Sequence, residues 1–171
     1  MSSINTIVGL GSDQLSSQCA LVFTGGIPGG GDGDRITLRL DQSIDPPERM
    51  VETYEYFYQG IKRVMTSMTD ATDKTFTTDV RMDQNWAVMK DLERWLYYTY
   101  EFTNGKALPT ASVRTTAQLQ YFDGQNNLVK SYTYLGLGIK GLKNGTSDMS
   151  SPDPLRTTIS WVYDDYRPDD L

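Results

Sequence analysis

Histidine is absent from this 171-residue chain, and cysteine occurs once, at Cys19. Without imidazole, acid–base catalysis near neutral pH loses its usual carrier and a zinc site would fall to carboxylates. A lone thiol closes no intrachain disulfide. The expectation is a reducing compartment, no structural metal and no cofactor. Positive charge is the minority sign, with 16 Lys and Arg against 22 Asp and Glu, a net charge of -6 and a pI near 4.6. Such a surface repels phosphates, which argues against a protein that grips nucleic acid by counterion release. Long apolar runs are missing too. No window approaches a membrane span, and the first residues lack the basic start and apolar stretch of a secretory signal. Synthesis and assembly are therefore expected in a cytoplasm, with no membrane partner.

What is present is polar, aromatic and extended. Hydrophobic residues make up 38% and tyrosine alone contributes 11 side chains, enough for one core and suited to surfaces buried between subunits. Residues 1–171 are read as a single domain, with a weakly patterned arm over about 1–19 and an acidic tail over about 164–171. Leu21–Phe23 predicts a short strand. The glycine-rich stretch Gly25–Gly33 predicts an exposed flexible loop, after which Arg35–Leu40 alternates as a second strand with Ile36, Leu38 and Leu40 on one face. Pro46 and Pro47 forbid regular pairing. Met50–Met65 is rich in β-branched and aromatic residues and reads as two strands bent at Gly60.

From Thr75 a strand places Phe76, Thr78, Val80 and Met82 on one face, with Asp79 and Arg81 opposite. It leads into one amphipathic helix. Asp83 is placed to cap it, and Trp86, Met89, Leu92 and Leu96 form a buried stripe that Val88, Trp95 and Tyr100 widen. Asn104, Gly105 and Pro109 stop the helix. A hairpin follows, Val113–Phe122 turning at Asp123 and Gly124 into Leu128–Leu135. A glycine-, serine- and proline-rich connection over Gly136–Pro154 precedes a last strand on which Ile159, Trp161 and Tyr163 align. The candidate core is Trp86, Met89, Leu92, Trp95, Leu96 and Trp161.

Chemical motifs are weak. The glycine-rich stretch lacks the lysine and following hydroxyl of a phosphate-binding loop, which leaves a hairpin tip. Asp164, Asp165, Asp169 and Asp170 offer either a hard-cation site or a solvated tail. Asp79 and Asp83 could be read as a carboxylate pair, but a cap accounts for Asp83. Asn144-Gly145-Thr146 matches a glycosylation acceptor that has no meaning without secretion. No enzyme is expected.

Taken together, PPERMVE (46–52), YFYQGIKR (56–63), TFTTDVRMDQNWAVMKDLERW (75–95), LQYFDGQNNLVKSYTYLGLGIKGL (119–142) and TTISWVYDDY (157–166) resemble the tail tube proteins of contractile-tailed bacteriophages. The resemblance spans most of the chain and departs from the family at the long Gly25–Gly33 loop. It implies a mainly β, α+β fold with one helix, a β-sandwich or barrel-like tail tube domain whose strands join neighbours in a hexameric ring around a lumen. Stacked rings would form the inner tail tube of a virion, a hollow, negatively lined conduit for DNA ejection into the host. If each subunit lent about four strands, roughly 24 strands would make a wall about 48 Å across, with a bore of roughly 40 Å. The implied partners are further copies of the chain, the tail sheath, the tape measure protein, baseplate and tail terminator proteins, and DNA passing without specific binding. Asp79 and Arg81 are candidates for the lumen lining, an outer surface being the alternative. The same fold would serve a baseplate tube initiator or the tube of a contractile injection system. A monomeric carbohydrate-binding β-sandwich is the reading from another class.

Overall fold

The computed structural model describes residues 19–40, 44, 46–101, 103–123, 125–145 and 155–169. The expected arm before Cys19 and the end of the acidic tail lie outside them. The elements are β1 (Cys19–Phe23), α1 (Gly33–Arg39), β2 (Val51–Tyr58), β3 (Ile61–Asp70), β4 (Thr75–Arg81), α2 (Ala87–Thr99), β5 (Tyr100–Glu101), β6 (Lys106–Ala107), α3 (Thr110–Val113), β7 (Thr115–Phe122), β8 (Leu128–Asn144), β9 (Arg156–Val162) and β10 (Asp165–Pro168). The fold is mainly β, as the alternating segments require.

Six strands form one antiparallel sheet in the order β1-β7-β8-β9-β4, with β10 also paired to β8. The 17-residue strand β8 holds it together. Its first part lies between β7 and β10, with Tyr134 opposite both Ala117 and Tyr166. Its last part pairs with β9, where Leu142 faces Ile159. The change of partner falls at Gly136, whose φ is +65°. The Gly136–Pro154 connection expected from composition is thus strand as far as Asn144. Leu137 and Ile139 keep a buried side, while glycines serve the kink at Gly136 and the register shift between Ile139 and Gly141. At the other end, Asp123 closes the β7–β8 turn by accepting from the amides of Gln125 and Asn127, both at 2.8 Å. Among the described residues the sheet does not close on itself.

The core gathers the inward positions of these strands: Leu21, Val80, Ala117, Leu119, Tyr134, Leu137, Ile159 and Trp161 are buried. Helix α2 covers them with Val88, Met89, Leu92 and Trp95, while Leu96 is half-buried. The Trp95 indole N–H donates to the carbonyl of Val113 at 2.9 Å, and its ring lies 5.6 Å from Trp161 and 6.0 Å from Phe23.

Trp86 corrects the expected core. It is 48% exposed and adopts a left-handed conformation, because the helix begins at Ala87 and Trp86 sits outside its first turn. Asp83 still caps from further back, accepting from the amides of Ala87 and Val88 at 3.2 Å. Tyr100 falls past the helix, in β5, and is exposed.

The second correction is α1, residues 33–39, which covers most of the Arg35–Leu40 stretch that alternation predicted as strand. Asp32 accepts from the Arg35 amide at 3.4 Å and starts α1, so Ile36 turns into the core while Leu38 points to solvent. Three helices are therefore present among the described residues where one was expected. The glycine-rich stretch is packed as well as turned. A Cβ on Gly29 would lie 3.2 Å from the Arg94 carbonyl, and one on Gly31 3.3 Å from the Asp91 side chain. Glycine here lets the loop lie on α2. Beneath it, buried Asp91 pairs with Arg35 at 2.9 Å and Arg94 at 3.8 Å.

Tyr134 anchors an aromatic cluster, 5.0 Å from the rings of Phe76 and Tyr163. Burial, and then the neighbouring phenols, push its hydroxyl far above the ordinary tyrosine range, and burial also raises Tyr163. A phenol whose folded-state pKa is raised stabilises the fold below its unfolded pKa, near 10, and loses that contribution as pH climbs further. Melting temperature is expected to hold to about pH 9 and to fall from about pH 10 upward. Tyr134→Phe should flatten that alkaline limb, as calorimetry across the pH series would show.

Candidate assembly surface

Outside the main sheet stands an antiparallel ribbon, β2–β3, turning at Gln59 and Gly60 with φ of 51° and 74°. Positive φ at both central residues is the two-residue hairpin turn that matches strand twist. Nearly all its described residues are exposed; Tyr56 and Ser67 are half-buried. Cross-strand pairing assigns its two faces. Tyr54, Tyr56, Tyr58, Ile61, Arg63 and Met65 share one, and Thr53, Glu55, Phe57, Lys62, Val64 and Thr66 the other. Large apolar side chains therefore meet solvent on both sides, with Phe57 at 74% and Ile61 and Val64 at 60% exposure. Lys62 and Glu55 are paired at 2.6 Å, and the Arg63 guanidinium lies 5.9 Å from the Tyr58 ring.

The ribbon is fixed at its stem. Arg49 donates to the Tyr166 carbonyl at 2.8 Å and to Asp165 at 3.4 Å, with its guanidinium 4.7 Å over the Tyr166 ring. On the return side the Ala71 amide donates to the Met50 carbonyl, and the Thr72 amide donates to Asp70, both at 3.0 Å. The Thr72 hydroxyl and amide, with Lys74 beside them, hold the Asp70 carboxyl down to about 2. Two clefts flank this stem and share Met50, Thr72 and Tyr163. One, of about 430 Å³, reaches Tyr166; the other, of about 390 Å³, reaches Phe76 and Tyr134.

Unpaired strand edges complete the surface. Among the described residues β1 pairs only with β7, β10 only with β8, and the stretch of β8 after Leu137 only with β9. Beyond its pairing with β9, β4 makes one bridge, Leu40 to Val80. On the outward face of β4, Asp79 is half-buried and accepts from the Thr158 hydroxyl at 2.6 Å, and Arg81 is exposed opposite Arg156. These two side chains lie on one strand face. That face carries both signs of charge.

Sequence reasoning placed strands at the ribbon but did not single out Arg49, which fixes it, or Asp91. The signal for Asp91 was its charge at a position between Val88 and Trp95 on the apolar stripe.

No protein-family model matches the sequence, and no curated protein matches it. Solved structures do. One is a chain of the PVC sheath–tube complex of an extracellular contractile injection system in its extended state, 12% identical, covering 98% of this chain and 99% of that one with a TM-score of 0.64. Another, from the sheath/tube terminator of such a system, is 12% identical, covers 94% and 99%, and has a TM-score of 0.67. A third comes from the six-fold symmetrised baseplate of the anti-feeding prophage, 13% identical over 92% and 96%, at 0.65. The likeness extends over nearly the whole of both chains in each case, and it is one of fold. The chain has the fold of a contractile-tail tube protein.

Proposed function

We propose that this chain is a structural tube subunit, and that copies complete one another's sheets into rings that stack around a lumen. The observation that carries this reading is the β2–β3 ribbon. A two-stranded ribbon is marginal in water, and long open edges with exposed apolar side chains are completed by another chain or aggregate. Ring closure removes those edges. Likeness to a chain of a six-fold symmetrised baseplate supports hexameric rings, and likeness to a sheath–tube complex supports a sheath and a terminator as partners. The role is scaffolding, without catalysis.

In the phage form of this reading the rings belong to a virion tail assembled in the host cytoplasm, a tape measure protein sets their number, and DNA passes through. Fold likeness to extracellular contractile injection systems favours a second form, the tube of such a system. If Asp79 and Arg81 line the lumen, its wall is of mixed charge, with Arg156 and Lys143 and the hydroxyls of Thr77, Thr158 and Ser160 on the same face, and slip would come from its hydroxyls more than from net negative charge.

Light scattering and electron microscopy of the purified chain over a concentration series test the proposal. Hexamers, stacked rings or a concentration-dependent mixture are expected. A monomer at every concentration, also under crowding by polyethylene glycol, would overturn it and favour a monomeric binding module.

A further inference from the structure

The outward face of the β4–β9–β8 half of the sheet collects positive charge in a chain whose net charge is -6. Register sets its rows. Arg81 stands opposite Arg156, Asp79 opposite Thr158 with Lys143 on its far side, and Thr77 opposite Ser160 with Gly141 beyond. Lys140 joins them at the register shift between Ile139 and Gly141. All four cations are exposed, and Lys140 and Lys143 enter no ion pair among the described residues. The carboxylate in these rows, Asp79, is half-buried and already accepts from the Thr158 hydroxyl at 2.6 Å. Lysines on β8 are explained as protection of an open edge. Arg156 is not, because β9 lies between β8 and β4, and like charges directly opposite one another, as at Arg81 and Arg156, weaken a sheet.

We propose that this face docks an acidic segment of a second, different protein. The inference goes beyond the tube-subunit reading and does not rest on it. Charge complementarity carries it: four cations face outward where the rest of the chain is strongly acidic, so an acidic partner is attracted here and repelled elsewhere. Spacing agrees. Successive outward rows lie about 7 Å apart, the repeat of alternate side chains on an extended strand, so a segment running along β9 sets one carboxylate against Arg81 and Arg156, the next against Lys143 and a third toward Lys140. Guanidinium groups grip carboxylates through paired hydrogen bonds, and the hydroxyls of Thr77 and Ser160 supply further donors between the rows. Nucleic acid fits the face less well. The seven residues of β4 span about 20 Å, whereas a duplex carries a charge every ~1.7 Å and continues past the patch onto acidic surface. A short acidic segment ends where the face ends.

Fluorescence anisotropy with a labelled peptide of about seven residues, glutamate alternating with serine, tests this at low ionic strength. The unsubstituted chain should bind it, and the double variant Lys140→Glu, Lys143→Glu should bind at least about tenfold more weakly with an unchanged melting temperature. Lys62→Glu on the ribbon, where Lys62 is already paired with Glu55, should leave binding as it was. A readout without substitution runs beside it: the peptide should shield Lys140 and Lys143 from acetylation, located by mass spectrometry, and leave Lys62 reactive. No binding by the unsubstituted chain, or equal losses for the double variant and Lys62→Glu, would overturn the proposal. Tighter binding of a duplex oligonucleotide than of the peptide would overturn it in favour of nucleic acid. Shielding of both lysines in the concentrated chain without peptide would overturn it in favour of a contact between copies. The tube-subunit reading is scored separately by the concentration series and stands or falls on that.

Discussion

Trp95→Ala is expected to lower the free energy of unfolding by about 3–5 kcal/mol, the largest loss among single substitutions in α2. The side chain is fully buried where helix and sheet meet, 5.6 Å from Trp161 and 6.0 Å from Phe23 in an edge contact. Removing it deletes the indole's transfer free energy and opens a cavity that two large rings cannot collapse into. It also strands the Val113 carbonyl, which accepts the indole N–H at 2.9 Å. Trp95→Phe separates these terms, since it keeps most of the volume and loses the donor, and about 1–3 kcal/mol is expected for it. Urea denaturation followed by far-ultraviolet circular dichroism gives both values. A loss below about 1 kcal/mol for the alanine variant would show that α2 does not close the core.

Trp86 supplies the contrast, just before the same helix. It is half exposed with φ at 55°, a conformation unfavourable for a bulky L-residue. Trp86→Gly should leave stability unchanged or raise it by up to about 1 kcal/mol. Eight residues therefore separate a tryptophan that organises the core from one that does not.

That difference marks what could be read before the structure. Long segments with a sustained period were legible: Thr75–Arg81, Thr115–Phe122 and Arg156–Val162 are strands with the buried faces their alternation implies. Boundaries set by single side chains were not. Asp83 does cap α2, yet it acts from four residues before Ala87, which moves Trp86 off the stripe. Residues 35–40 alternate like a strand, yet a helix covers 33–39 and ends before Leu40, because a local cap at Asp32 starts it and a tertiary hydrogen bond from the Thr37 hydroxyl to the Leu21 carbonyl, at 2.9 Å, holds it, and periodicity carries neither. Glycine was ambiguous for a related reason. At Gly29 and Gly31 it marks close packing on α2, at Gly60 the hairpin turn where a bend between two strands was expected, and at Gly136 a kink inside a strand; composition reads the first and the last as loop. The ribbon's strands were visible in sequence, whereas its exposure was not. Apolar side chains on both faces suit a strand covered on both sides, and among the described residues none covers these.

Gly136→Ala is the second large effect, expected at about 2–3 kcal/mol from backbone strain and steric overlap together. At φ of +65° any L-side chain is strained, and a Cβ at this site would overlap the carboxylate of Asp164. Asp164 cannot move aside freely. Its Oδ1 accepts from Arg114 at 2.6 Å, and the same Arg114 nitrogen donates to the Gly136 carbonyl at 2.9 Å, so the kink in β8 and the corner between β9 and β10 are held by one guanidinium. The ion pair is partly exposed and worth little alone, so most of the loss is steric. A double-mutant cycle isolates that share: with Asp164→Gly in place, Gly136→Ala should cost only about 1–2 kcal/mol, the backbone component. Gly138→Ala is the control two residues on, where the nearest atom is Arg114 Cγ at 3.6 Å, an ordinary contact, and stability should change by less than about 1 kcal/mol. An equal loss at both glycines would mean that β8 tolerates no side chain here for reasons unrelated to the corner. Because the kink also aims the open edge of β8 beyond Leu137 relative to the ribbon stem at β10, Gly136→Ala should impair assembly beyond its effect on stability. Sedimentation at a temperature where the variant is fully folded reads that excess directly.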